Sequence, residues 1–161
     1  MTIRTKTMFL TEDFTVMSLV ERDRCMLVQQ YDYALSRARD NGGLPYGDTS
    51  GSTLNLTLNT SVNVNTRSLY RLLRGGEPAQ FSLINNAVFD EGGRLVDYES
   101  AMVVEGYIVS LDEHYDSQRG EGENNNATMD ICILCIAVQY VGERTMNENG
   151  QMTVSKLIRR F

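Results

Sequence analysis

The chain has no tryptophan, two prolines, three cysteines and one histidine in 161 residues. These scarcities exclude several classes of function. One histidine and three cysteines leave no second Cys/His pair to complete a tetrahedral zinc site beside Cys132 and Cys135. No uninterrupted apolar stretch approaches the ~20 residues a helix needs to cross a bilayer, so no membrane insertion is expected. Basic residues are in deficit: Lys and Arg number 15 against 21 Asp and Glu, a formal net charge of −6. That balance argues against nucleic acid, whose binding runs on phosphate neutralisation, and against docking on anionic lipid. The first residues, MTIRTKTMFLTEDF, contain neither an apolar run of secretory length nor a small-residue cleavage site. General secretory export is therefore not expected, whereas a route that reads folded structure would leave no such trace.

The familiar catalytic signatures are missing too. No G-x-S-x-G elbow is present to support an esterase triad. Gly42, Gly43, Gly47 and Gly51 lead into a strand with no lysine among them, so they form no phosphate cradle. Asp40 and Asp48 make calcium conceivable there, but the EF-hand spacing is absent. His114 stands among Asp112, Glu113 and Asp116, any of which could orient it as a general base. The blander reading is a charged strand end, since no converging groups are identifiable elsewhere. Glycosidase carboxylates could be drawn from Asp112, Asp116, Glu121 and Glu123, but acidic loops are too common to carry that inference. Cys132 and Cys135 are spaced C-x-x-C in an apolar, strand-like run, where residues three apart point to opposite faces. They and Cys25 read as small core hydrophobes in a reducing compartment. No enzyme activity, cofactor or metal is expected.

What is present is alternation. The length suits one domain, residues 1–161, able to bury a single core. Leu54, Leu56 and Leu58 alternate with Asn55, Thr57 and Asn59, a period of two with one apolar face. Further strands are expected over Cys25–Ala38, Ala79–Phe89, Asp97–Leu111, Thr128–Val141 and Met152–Ile158. A first hairpin is expected from residues 7–10 and 14–20 about Thr11-Glu12-Asp13. Thr128–Val141 is apolar on both faces, the pattern of a strand buried on both sides. One short helix is expected after Asn65, a candidate N-cap. Its stripe is Leu69, Leu72 and Leu73, and Gly75 is placed at the left-handed position that ends it. The fold class is mainly β: a small β-barrel or two-sheet sandwich with one short α-helix packed on its side.

Two loops stand out. Residues 117–127, SQRGEGENNNA, read as a mobile acidic surface loop. Residues 37–52 form a long glycine-bearing loop between two strands, and loops beyond roughly 12–15 residues usually serve binding or are disordered. The face of Asn55, Thr57 and Asn59 is neutral, where a solvated strand usually carries Lys and Glu. Such a face suits a wet channel, or else cross-strand hydrogen bonding on an ordinary surface.

In order, the segments YDYALSRA, the long loop, TLNLTLN, TRSLYRLLRGG, AQFSLIN, ESAMVVEGYIVSLDEHYD and MDICILCIAV resemble the haemolysin-coregulated protein family (Hcp, TssD). That family supplies the inner-tube subunit of type VI secretion systems, and the likeness spans about residues 7–158. The resemblance implies a β-barrel flanked by a helix, six copies in a ring, and rings stacked into a tube within a contractile sheath. It implies sheath, spike and effector proteins as partners. It also implies assembly in the cytoplasm followed by release through the type VI apparatus. The family's long loop reaches a neighbouring subunit or ring, which maps here to residues 37–52 with Leu44, Tyr46 and Gly47 as contact residues. Asn55, Thr57 and Asn59 are the residues expected to face the lumen. A phage tail-tube protein would share this pattern. The rival from another class is a small-ligand-binding barrel, or an enzyme using the Asp112–Asp116 cluster; leucine, isoleucine and valine filling the barrel would exclude it.

Overall fold

Alternating apolar residues dominate the chain, and the computed structural model assembles them almost wholly as antiparallel strands. It describes residues 6–39, 45–60, 66–115, 127–146 and 152–160. The elements are β1 (Lys6–Leu10), β2 (Met26–Arg39), β3 (Pro45–Asn59), α1 (Thr66–Gly75), β4 (Ala79–Phe89), β5 (Leu95–Asp97), β6 (Ser100–Tyr115), β7 (Ala127–Met146) and β8 (Met152–Arg160). The strands pair in the order β1-β2-β3-β7-β6-β4-β5, and β1 also pairs with β4. The hydrogen-bonded path therefore returns to its start through six strands. β8 adds to β7 outside that circuit. The short β5 pairs with β4 across the Asp90–Gly93 turn and was not foreseen as a separate strand.

The period of two decides what fills the circuit. Leu54, Leu56 and Leu58 are exposed by 0, 3 and 0 % and join Phe9, Phe81, Val104, Met129, Ile131 and Ile133 in one interior cluster. Each such side chain contributes about 1.5–3 kcal/mol by leaving water. A second cluster, including Met8, Leu10, Ile84, Ala101 and Val103, lies on the other face of the β1-β4-β6 region. Alternate residues of β6 thus serve the two clusters: Met102 and Val104 the first, Ala101 and Val103 the second.

Bulges reset the alternation. Ile108 pairs with Ile133 but Ser110 pairs with Cys132, leaving Val109 unopposed. Gly106 pairs with Cys135 and Glu105 with Ala137, leaving Ile136 unopposed. Gly106 is required at this point, because a methyl group there would overlap the Leu134 carbonyl oxygen.

Several expectations are corrected. Residues 7–10 and 14–20 form no hairpin. Phe14–Val16 is a 3-10 turn whose Thr15 amide donates to Asp13 Oδ1 at 2.9 Å, so the Asp13 side chain stops extension. The expected loop 37–52 is largely strand: β2 and β3 stay paired from Leu27↔Asn59 out to Arg39↔Pro45, through register shifts at Ser36/Arg37 and Arg37/Arg39. Backbone hydrogen bonds continue there without apolar alternation to announce them. The left-handed glycine after α1 is Gly76, φ 71°, while Gly75 is still helical. β7 is not buried on both sides over its first half, since Leu134 is 46 % exposed and Asp130 is exposed. Beyond the Ile136 bulge it is: Val138 enters the interior cluster and Val141 the outer one. Asn65 and residues 117–126 lie outside the described residues, and Ala127 opens β7.

Candidate functional site

Two features offer surfaces for function: an open sheet face and the arm that grows from it. The face is built by register. One row across β2, β3, β7 and β6 is Gln30, Thr57, Asp130 and Asp112; the next is Asp32, Asn55, Cys132 and Ser110. A third is Ala34, Thr53, Leu134 and Tyr107. Of these, Gln30, Asp32, Ala34, Asn55, Ser110, Asp112, Asp130 and Leu134 are exposed. The strand segments that build the face, residues 26–34, 52–60, 100–115 and 127–142, contain no lysine or arginine.

Asn55 is exposed and Thr57 is half-buried, its Oγ1 donating to Asp130 Oδ1 at 2.6 Å. Asn59 has the same parity but is only 8 % exposed. At the end of β3, where Thr60 N–H bonds to the Ala127 carbonyl, it offers little to a solvent channel. The neutral face expected from the sequence is therefore joined by carboxylates from three other strands.

The arm is defined by what it leaves. β3 pairs with β7 from Asn59↔Thr128 to Ser52↔Cys135. Beyond Ser52, from Gly51 to Pro45, its pairing partner is β2 alone. Residues 36–39 and 45–51 therefore leave the circuit as a two-stranded ribbon. Tyr46 and Gly47 lie on its β3 strand; Leu44 lies outside the described residues.

The acid–base candidate takes a different partner from those expected. His114 Nε2 lies 3.1 Å from Asp130 Oδ2, on an exposed surface. Asp116 lies outside the described residues. Glu113 turns instead toward α1, where its hydrogen bond to Tyr70 raises the Tyr70 pKa. Asp130 went unnoticed because it becomes a neighbour only through the β6–β7 register, which sets Asp112 opposite it. Folding residues 111–131 as a hairpin would have revealed it. Among the described residues no cysteine joins the pair. Cys135 is buried and Cys132 half-buried on opposite faces, and burial raises both thiol pKa values. Burial pushes Cys25 up to about 12. Protonated thiols are poor nucleophiles.

Phe9, Leu54, Leu58, Leu69, Phe81, Met129 and Ile133, all 0 % exposed, fill the circuit's interior. That packing excludes a ligand site where a ligand-binding barrel would hold one. Among the described residues a surface groove of about 390 Å³ lies between residues 14–20 and 90–98.

A six-strand antiparallel circuit with one helix, a projecting ribbon and a filled interior defines an all-β scaffold whose surfaces, not its interior, are available for contacts. More particularly, the chain has the Hcp fold. Hcp1 from Flavobacterium johnsoniae matches it at TM-score 0.56 and 14 % identity, over 93 % of this chain and 99 % of that one. Hcp1 from E. coli EAEC 042 matches at TM-score 0.58 and 12 % identity, over 94 % and 97 %. The SPP1 tail tube matches at TM-score 0.51 and 14 % identity, over 87 % of this chain and 77 % of that one. No family model matches the sequence, and no curated protein matches it.

Proposed function

We propose that this chain is the inner-tube subunit of a type VI secretion system. Copies close into rings, six by the family resemblance, and the rings stack into a tube that carries effectors. The observation that carries this reading is the ribbon of residues 36–39 and 45–51, projecting from a sheet circuit with the Hcp fold. A two-stranded ribbon is marginal alone in water and gains stability from a third surface. A neighbouring copy supplies one, with Leu44, Tyr46 and Gly47 at the contact. The function is mechanical, and the filled interior supports it over the rival small-ligand reading.

In this reading the face bearing Asn55 and Thr57 lines the lumen, while sheath and spike proteins meet the assembled tube from outside. Assembly takes place in the cytoplasm and release follows through the apparatus. The likeness to the SPP1 tail tube supports the same mechanical role. Native mass spectrometry of the purified chain, with negative-stain imaging, tests it. Rings with a central opening are expected; a strict monomer at high concentration overturns it.

A further inference from the structure

A β-strand offers its backbone donors and acceptors along two edges, and β7 uses both. β6 holds one of them from Ala101↔Val141 to Tyr115↔Ala127. The other edge changes hands. β3 pairs along it from Asn59↔Thr128 to Ser52↔Cys135, and β8 takes over from Ala137↔Arg160 to Val141↔Lys156. The changeover falls at Ile136, the residue left unopposed on the β6 side.

The two partners compete for one stretch of backbone. β3 keeps an unshifted register with β7 from Asn59 to Ser52. Carried past Ser52, that register sets Thr49 opposite Val138, Asp48 opposite Gln139, Gly47 opposite Tyr140 and Tyr46 opposite Val141. Arg159, Ile158, Leu157 and Lys156 of β8 stand at those same four positions. The arm therefore leaves the circuit where β8 begins. From Gly51 to Pro45, β2 is the strand that pairs with β3 among the described residues, so one edge of the arm's β3 half is open.

Composition explains which partner holds β7. β8 reads MTVSKLIRR, in which Thr153, Val154 and Ile158 are β-branched and suit an extended strand. The arm's half of β3 reads PYGDTSG, with a proline, two glycines and an aspartate, types depleted from strands. β8 also follows β7 directly in the chain, so its pairing closes a short loop at low entropic cost.

Resting on the arm contact proposed above, we propose that β8 is a wedge strand that controls the arm. Paired with β7, it deflects β3 and holds the arm out with an edge open to a neighbour. When β8 departs, residues 46–51 pair with residues 136–141 and the arm is withdrawn from assembly. The exchange leaves no open edge on β7 in either state, because each partner supplies the backbone groups that the other removes.

Leu157→Pro/Ile158→Pro tests the wedge in the whole chain. Adjacent prolines remove two consecutive amide donors, one of which faces β7, while the β3–β7 and β6–β7 rungs are untouched. Circular dichroism verifies that the barrel is folded. Amide-resolved hydrogen exchange is then measured at a dilution where neither chain assembles. Residues 46–51 should exchange about tenfold more slowly in the variant than in wild type, and the amides of residues 137–141 should stay protected. At high concentration the variant should fail to stack in electron micrographs. Arm exchange as fast as in wild type, or amides of residues 137–141 that become labile, overturns the wedge and leaves the arm's contact with a neighbour standing. An arm that becomes protected while stacking persists supports the wedge and overturns that contact. If the variant unfolds, wild type alone decides. The β7 amides facing β8 should exchange more slowly than the β8 amides facing β7, since β3 covers the edge whenever β8 opens; equal rates overturn the wedge.

Discussion

Ser52 of β3 stands opposite Cys135 of β7, and this is the last rung between the two strands. On the circuit side of the rung, β3 is held by β2 and β7 together. Past it, β2 alone holds the ribbon, while β7 continues with β6 on one side and β8 on the other from Ala137 onward. Ser52 is buried, and the Tyr33 hydroxyl and the Cys135 thiol lie beside it. Burial raises the Tyr33 pKa, so that hydroxyl stays protonated. The rung marks where β3 leaves the closed circuit and continues paired with β2 alone.

Deleting residues 41–50 should therefore leave the barrel folded, because the rungs from Ser52 to Asn59 are untouched. Far-ultraviolet circular dichroism should keep its β signature, while stacking of rings in electron micrographs should be lost. Stacking that survives the deletion would show that the arm is not the connector.

The two faces of the wall should differ sharply in cost. Leu54→Ala removes a 0 % exposed side chain and should destabilise by about 2–5 kcal/mol in urea unfolding. Leu134→Ala, at 46 % exposure on the opposite face of the neighbouring strand, should stay within about 0.5 kcal/mol. Equal losses at both positions would contradict the assignment of inside and outside.

Gly106→Ala should be among the more damaging small changes. The new methyl meets the Leu134 carbonyl oxygen and lies 3.0 Å from Cys135 Cα, and neither is the flexible end of a side chain. The backbone must shift, at a cost of about 1–3 kcal/mol. A thermal melt indistinguishable from wild type would show that the β6–β7 bulge is not seated as described.

The Cys25 thiol supplies a pH test. Burial raises its folded-state pKa from 9.0 to about 12, so the folded state holds the proton more tightly than the unfolded chain. The stabilisation is fully present below pH 9 and is lost as pH rises toward 12. Cys25→Ala should flatten the alkaline decline in stability across that window. At pH 8, iodoacetamide should label Cys25 in the folded protein far more slowly than in urea, since the thiolate is the reactive form.

His114→Ala should leave assembly unchanged. Its contact with Asp130 is exposed, and exposed pairs contribute about 0–1 kcal/mol. A specific activity abolished by this substitution would instead favour the enzyme reading.

Much of the wall was legible because burial and alternation coincide there. Leu54, Leu56 and Leu58 announce both a strand and its inward face. The ribbon was not legible, because backbone hydrogen bonds hold it and its glycines read as turn. Asn59 shows the limit of parity, which assigns a face but not its exposure at a strand end. The His114–Asp130 contact needs the pairing of two strands, and no pattern within either strand encodes it. The shift of the helix stop from Gly75 to Gly76 is one residue, the usual scale of uncertainty for a helix end.

Imaging the purified chain at high concentration tests the central claim most directly. The account predicts rings with a central opening that stack into tubes, and a native mass that is a multiple of the 18.1 kDa subunit. A single 18.1 kDa species with no rings in the field would contradict it.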